Sequence, residues 1–270
     1  MSEKTIGALS RFTGISAHTI KYYEKIGLLS VGRKENSNYR SYDMRVCTDI
    51  YECVKYRNMG FSLKDTQELV KEASNERVSE LLAERKAQIE EEITRLTEQR
   101  RQLEIFQEQI RELERHLGKW YVEECRDFYL RPQTKELDFD EDYCLEAGGL
   151  NLAEYMPISQ STVWLKEEYL AGGLTGYSWG QGVFPAERKD RIHGREGYLH
   201  VPAGRAFVTY MKFAGPYVSD GRMGQELLRV YRQFRQDTPK EAFGQRIRIT
   251  RDGEGTVWNY FKVFIPLAEE

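Results

Sequence analysis

Thr5-Ile6-Gly7-Ala8-Leu9-Ser10, then Thr13-Gly14-Ile15, then Ser16 to Leu29 and Asn38-Tyr39-Arg40-Ser41-Tyr42 form the stretch that decides the fold. Apolar residues at Ile6, Leu9, Phe12, Ile15, Ile20 and Tyr23 fit two short helices packed across a tight turn. Gly14 is the natural turn residue, because a positive φ costs it no Cβ clash. Ser16 predicts an N-cap, and the helix after it presents Ala17, His18, Lys21 and Tyr22 outward. The aromatic and basic run at Tyr39-Arg40 fits a wing beside that helix pair. Tyr hydroxyls and Arg guanidiniums reach phosphate oxygens and base edges, so the segment implies duplex DNA as a partner.

These residues resemble the MerR family of transcription regulators. Lys21-Tyr22-Tyr23-Glu24-Lys25-Ile26-Gly27-Leu28-Leu29 is similar to that family's Arg-Tyr-Tyr-Glu-x-x-Gly-Leu-Leu signature. Arg33 and Asn38-Tyr39-Arg40-Ser41-Tyr42 resemble its wing, which usually reads Gly-Tyr-Arg-x-Tyr. Three positions depart: Lys21 stands for Arg, Val31 for Pro and Asn38 for Gly. Asn tolerates left-handed backbone, whereas Lys keeps the phosphate charge but lacks the bidentate fork. The resemblance implies DNA contacts from Ser16, His18, Thr19, Lys21, Tyr22, Arg33, Tyr39, Arg40 and Tyr42.

At 270 residues the chain is long enough for more than one core, and its net charge of -3 hides an asymmetry. Residues 1–75 hold 12 Lys/Arg against 9 Asp/Glu, which suits phosphate contact, while the remainder is acidic. No apolar run approaches the roughly 20 residues of a membrane helix. Met1-Ser2-Glu3-Lys4 lacks the apolar core of a signal peptide, so a cytoplasmic protein with no membrane partner is expected. Cys47, Cys53, Cys125 and Cys144 form no Cys-x-x-Cys pair, and the four His are scattered. Structural thiols, no metal and no cofactor are the expectation.

Asp43 predicts the cap of a helix carrying Val46, Ile50, Cys53, Val54 and Met59, ended by Gly60, and Ser62 opens another with Leu63, Leu69 and Val70. Leu82, Ile89, Leu96, Leu103, Ile110 and Leu117 then recur every seventh residue. A helix from about Val78 to Leu117 runs roughly 60 Å at 1.5 Å per residue. Its second seam is poor, with Arg85, Glu92 and Gln99 before Phe106 and Leu113, so it needs a partner. By resemblance this is the antiparallel coiled coil of a homodimer, which sets two reading heads on a pseudo-palindromic site.

From Trp120 the chain turns aromatic and β-branched. Strands are predicted at 126–131, 162–165, 177–184, 206–213, 245–250 and 257–265, with helices at 140–155 and 221–234. Strand-helix-strand-strand twice over suggests a duplicated βαββ module with a groove between its halves. Together with Val201-Pro202-Ala203-Gly204 and Phe264-Ile265-Pro266, this order resembles the GyrI-like ligand-binding domain of BmrR-type multidrug regulators. The predicted fold is therefore α+β and multidomain: a winged helix-turn-helix over residues 1–75, a dimerising coiled-coil helix over 76–118 and an effector domain over 120–270.

Aromatic faces attract cations and stack on planar ligands, but they also fill cores. The candidate ligand residues are Trp164, Tyr169, Tyr177, Trp179, Tyr210, Tyr217, Trp258 and Tyr260. In the GyrI-like family an inward glutamate on the last strand pairs with a cationic drug; here Lys262 stands at that position. Either Glu146, Glu154, Glu167 or Glu168 replaces it, or the effector differs in charge. No catalytic constellation stands out: Gly-x-Ser-x-Gly, a phosphate-cradling loop and His-x-x-x-His are all absent. The expected function is a ligand-responsive activator that bends and untwists promoter DNA for RNA polymerase holoenzyme when a small lipophilic or aromatic effector binds. A sequestering protein and a GyrI-like hydrolase are the alternatives.

Overall fold

The computed structural model describes residues 5–33, 39–71, 73–140, 156–184 and 197–268. The chain divides into two compact units, Met1–Thr97 and Glu98–Glu270. The predicted helix at 140–155, Glu146, Glu154, Cys144 and the turn residue Asn38 lie outside the described residues.

In the first unit, α1 (Ile6–Thr13) ends on Gly14 at φ 73° and α2 (Ala17–Lys25) begins at Ser16, whose side chain accepts from the Thr19 amide. Only glycine enters the left-handed region without strain, which is what lets two helices meet across three residues. Short strands β1 (Gly32–Arg33) and β2 (Arg40–Ser41) pair antiparallel, with Arg33 opposite Arg40. Next, α3 (Met44–Asn58) is capped by Asp43, and α4 (Leu63–Lys71) follows a reciprocal pair in which Asp65 N donates to Ser62 Oγ and Ser62 N to Asp65 Oδ2. The core joins Leu9, Ile20, Tyr23, Leu28, Leu29, Tyr42, Val46, Cys47, Ile50 and Cys53. Burying one such aliphatic side chain is worth about 1.5–3 kcal/mol. Phe12 does not join it: the ring is 71% exposed, because α1 turns that position away from α2.

The long helix, α5, runs Asn75–His116. Leu81 and Val78 pack with Phe61 and Leu69 in the first unit, and Leu113 and Ile110 pack in the second. The heptad residues between stay open: Leu82, Ile89, Leu96 and Leu103 are exposed, Leu103 to 70%.

The second unit is built on β3 (Trp120–Cys125), β4 (Phe128–Pro132), β5 (Thr134–Lys135), β6 (Asp138–Phe139), β7 (Ser159–Lys166), β8 (Tyr177–Val183), β9 (Leu199–Val201), β10 (Gly204–Ala214), β11 (Glu241–Arg251) and β12 (Val257–Pro266), with α6 (Glu167–Leu170) and α7 (Arg222–Tyr231). One antiparallel sheet has the order β3-β10-β12-β11-β7-β8-β4-β9. Reading inward from either side gives β10-β12-β11 and β4-β8-β7, the same sequence of first, third and second strand. The strand expected at 126–131 is displaced: Arg126 and Asp127 lie outside the strands, and β3 before them was not anticipated. Asp127 ends the pairing there by accepting from Ala203 N and contacting His200 Nε2 at 2.9 Å.

One sheet face is covered by α6 and α7 through Tyr169, Leu170, Met223, Leu227, Val230 and Tyr231 against Val163, Leu165, Phe207, Phe261, Val263 and Ile265. The other packs Phe128, Leu130, Val208, Tyr210, Phe243 and Phe264 beneath Ile110 and Leu113 of α5. Period-two alternation assigns strand residues to one face or the other, except where β11 shifts register between Arg246 and Arg248.

Candidate functional sites

The described residues singled out above gather mostly on one surface in the first unit and divide between two sheet faces in the second. In the first unit, Ser16, His18, Lys21 and Tyr22 are exposed along α2, with Thr19 half-buried and its hydroxyl 2.8 Å from Ser16 Oγ. Tyr39 is 78% exposed, and cross-strand pairing puts Arg33 and Arg40 side by side. Arg40 Nε donates to Glu24 Oε1 at 2.6 Å, so the strand pair is tied to α2 by an ion pair that aligns the two elements. Tyr42 departs from the expectation. Its ring is buried, because it is the next residue after β2 and turns into the core with Val46 and Ile50.

In the second unit the sheet separates the aromatic candidates. Tyr169, Tyr177, Trp179 and Tyr217 lie on the helix-covered face. Tyr169 is fully buried and its hydroxyl donates to the Val218 carbonyl, so it acts as a core residue. Trp164, Tyr210 and Tyr260 lie on the opposite face, with Trp258 and Lys262 on the same side of β12 as Tyr260. Glu167 and Glu168 are exposed on α6, away from Lys262 in the sheet order.

Lys262 already has a counter-ion. Its Nζ donates to Glu123 Oε1 at 2.7 Å, and both side chains are partly shielded. Nothing local to either residue announces the pair, since 139 positions separate them. Several aromatic candidates also carry a cation of the protein over the ring: Lys166 at 4.8 Å from the Trp164 centroid, Arg246 at 5.6 Å from Trp179, Lys212 at 4.0 Å from Trp258 and Arg248 at 5.7 Å from Tyr260. A hydrogen bond with Thr250, with Lys212 and Arg248 nearby, holds the Tyr260 phenol below its ordinary range. Burial does the reverse for Tyr121, pushed up to about 12. An open groove of about 410 Å³ runs along the free part of β10, lined by Leu117, Tyr210, Lys212, Phe213, Arg222 and Arg229.

Cys53 and Cys125 are poor nucleophiles, because burial pushes both thiols up to about 11. Among the described residues, no group of three or more His, Cys, Asp or Glu is placed to hold a metal ion. No helix among them is long and apolar enough to cross a membrane.

Comparison with known proteins matches residues 5–42 to the MerR family regulatory protein model and residues 54–106 to the model described as MerR, DNA binding. The chain is 33% identical over 107 residues to the HTH-type transcriptional regulator HmrR of Rhizobium leguminosarum bv. viciae, covering 37% of this chain and 80% of that protein. It is 35% identical over 65 residues to the heavy metal-dependent transcription regulator 2 of Rhizobium meliloti (strain 1021), 24% of this chain and 44% of that one. The chain thus spans less than half the length of several curated relatives it matches. A solved structure, the EcmrR–DNA complex in EcmrR-RPo, aligns over 97% of this chain and 99% of its own at 15% identity, with a TM-score of 0.36.

Proposed function

Because the chain belongs to the MerR family of regulatory proteins, we propose that it is a DNA-binding transcription regulator, an activator switched by a small molecule. Residues 1–75 form the DNA-binding domain, 76–118 the dimerising helix and 120–270 a GyrI-like effector-binding domain. The observation that carries this reading is the exposed surface of Lys21, Tyr22, Tyr39 and the Arg33–Arg40 pair, locked to α2 through Glu24. α2 enters the major groove, and the β1–β2 wing grips the flanking backbone. The exposed apolar stripe of α5 pairs with a second copy, so two heads bind a pseudo-palindrome. Effector binding then stabilises a bent, untwisted promoter that RNA polymerase engages; the deformation costs of order several kcal/mol.

The mirrored order β10-β12-β11 and β4-β8-β7 supports the duplicated reading of the C-terminal domain. The test of the whole proposal is footprinting on the DNA upstream of the protein's own coding region. A protected pseudo-palindrome within a promoter spacer is expected, and absence of protection overturns it. Arg40→Ala is expected to weaken a gel-shift complex about tenfold, the scale of one charge-assisted contact. Glu24→Gln, which breaks the same ion pair but keeps Arg40, is expected to weaken the complex by clearly less than Arg40→Ala. Equal weakening by both variants assigns Arg40 to alignment of the wing and removes it from the contact set.

A further inference from the structure

Tyr260 sits at the centre of a cationic cluster that no local motif marks. On its two neighbouring strands the residues directly opposite are Lys212 of β10 and Arg248 of β11. Lys262 lies two residues along the same strand, on the same sheet face. Strands are about 4.8 Å apart and alternate residues along one strand about 7 Å, so three positive side chains share one small area. Such clustering is unfavourable in isolation. Only Lys262 has a carboxylate, Glu123 at 2.7 Å. Among the described residues, no carboxylate makes an ion pair with Lys212 or Arg248. Asp252, near Trp258, is consumed by the turn: it accepts from Glu254 N, Thr256 N and Trp258 Nε1.

The aromatic surface beside these cations is also spoken for. Lys212 Nζ lies 4.0 Å from the Trp258 centroid and 5.4 Å from Tyr260, and Arg248 stands over the Tyr260 ring. A lipophilic cation would have to displace a lysine or an arginine from these rings and then sit beside the displaced charge. An anion also moves Lys212 and Arg248 off the rings, but it takes them into charge-assisted hydrogen bonds, so no displaced charge is left unpaired and its own ring can lie against Trp258 and Tyr260.

From this placement we infer that the effector is an anionic aromatic molecule, a planar ring carrying a carboxylate, sulfonate or similar group, bound around Tyr260 by Lys212 and Arg248. The inference rests on the reading of residues 120–270 as an effector-binding domain. Lys262 is held in reserve by Glu123, so breaking that pair strengthens the site rather than weakening it.

The test is calorimetry of the full-length protein with two probes of similar shape and opposite charge, naphthalenesulfonate and trimethylnaphthylammonium. The sulfonate is expected to bind at least about tenfold more tightly, and to weaken as salt is raised. Lys212→Gln combined with Arg248→Gln removes about tenfold of sulfonate affinity, whereas Lys212→Arg with Arg248→Lys retains it. Both variants are checked by thermal unfolding, and Glu123→Gln tightens sulfonate binding. Equal or tighter binding of the ammonium probe overturns the anion inference and leaves the effector-domain reading standing. Sulfonate binding indifferent to the double Gln variant also overturns it. Binding of neither probe overturns both the inference and the domain reading beneath it.

Discussion

Ser16 holds two roles that a single substitution separates. Its hydroxyl accepts from the Thr19 amide at 3.1 Å and lies 2.8 Å from the Thr19 hydroxyl, so it closes the first turn of α2. It is also exposed at the end of the proposed reading helix, where a hydroxyl can meet phosphate. Ser16→Ala is expected to cost about 1 kcal/mol of stability through the lost cap. Ser16→Asp keeps the cap and adds a negative charge at the DNA surface, so denaturant unfolding should be close to the parent while gel-shift affinity falls. If Ser16→Asp binds DNA as well as the parent, Ser16 is a cap alone and α2 does not approach the backbone at that point. Tyr42 teaches the complementary lesson. The motif pointed to it as a contact, yet one step of alternation past Ser41 is enough to bury it with Val46.

At the scale of elements, caps govern what holds and what fails. The Asp43 side chain accepts from the amides of Arg45 at 3.0 Å and Val46 at 3.4 Å. Its hydrogen bond with the Arg45 guanidinium, with help from those amides, keeps the carboxyl below its ordinary 3.8. A depressed folded-state value means that the stabilisation is present above the unfolded value and is lost as pH falls through the folded one. Thermal unfolding of the full chain from about pH 5 down to about pH 2.5 should therefore lose stability less steeply in Asp43→Asn, which still caps but does not titrate. An identical acid slope removes Asp43 from the acid response. Such signals made the first unit readable: Ser16, Asp43 and Ser62 each precede a helix, and Gly14 and Gly60 each close one. β3 escaped because Glu123 and Glu124 break its apolar alternation, and its partner β10 lies some 80 residues on. The placement of Arg248 beside Tyr260 escaped for a related reason. Face assignment depends on register, and β11 shifts register between Arg246 and Arg248. Arg248 therefore joins Tyr260, a proximity that strict alternation from Arg246 would assign to the same face as Arg246.

The whole molecule turns on whether α5 has a partner. Its surface charges are satisfied locally by pairs such as Glu92–Arg95, Glu98–Arg101 and Glu108–Arg111, which are exposed and add little individually. The apolar residues between its packed ends are not satisfied, since Leu82, Ile89, Ile93, Leu96 and Leu103 all face solvent in the single chain. Burying a leucine of this kind against a second helix is worth about 1.5–3 kcal/mol, so one chain forgoes a large stabilisation that two would share. The double substitution Leu96→Lys and Leu103→Lys places two charges on each partner in that seam, where like charges meet across an apolar contact. Sedimentation equilibrium is expected to give twice the 31.7 kDa chain mass for the parent and a single chain mass for the variant. The substituted positions lie outside both the wing and the sheet, so a monomeric variant should retain its effector binding. Its DNA affinity should fall by far more than tenfold, because a monomer grips one half-site and forfeits the effective concentration of the second head. A parent that sediments as one chain would sink the dimer, and with it the reading of the upstream site as a pseudo-palindrome. A variant that stays dimeric would move the interface elsewhere on the chain and leave the open stripe of α5 without its proposed occupant.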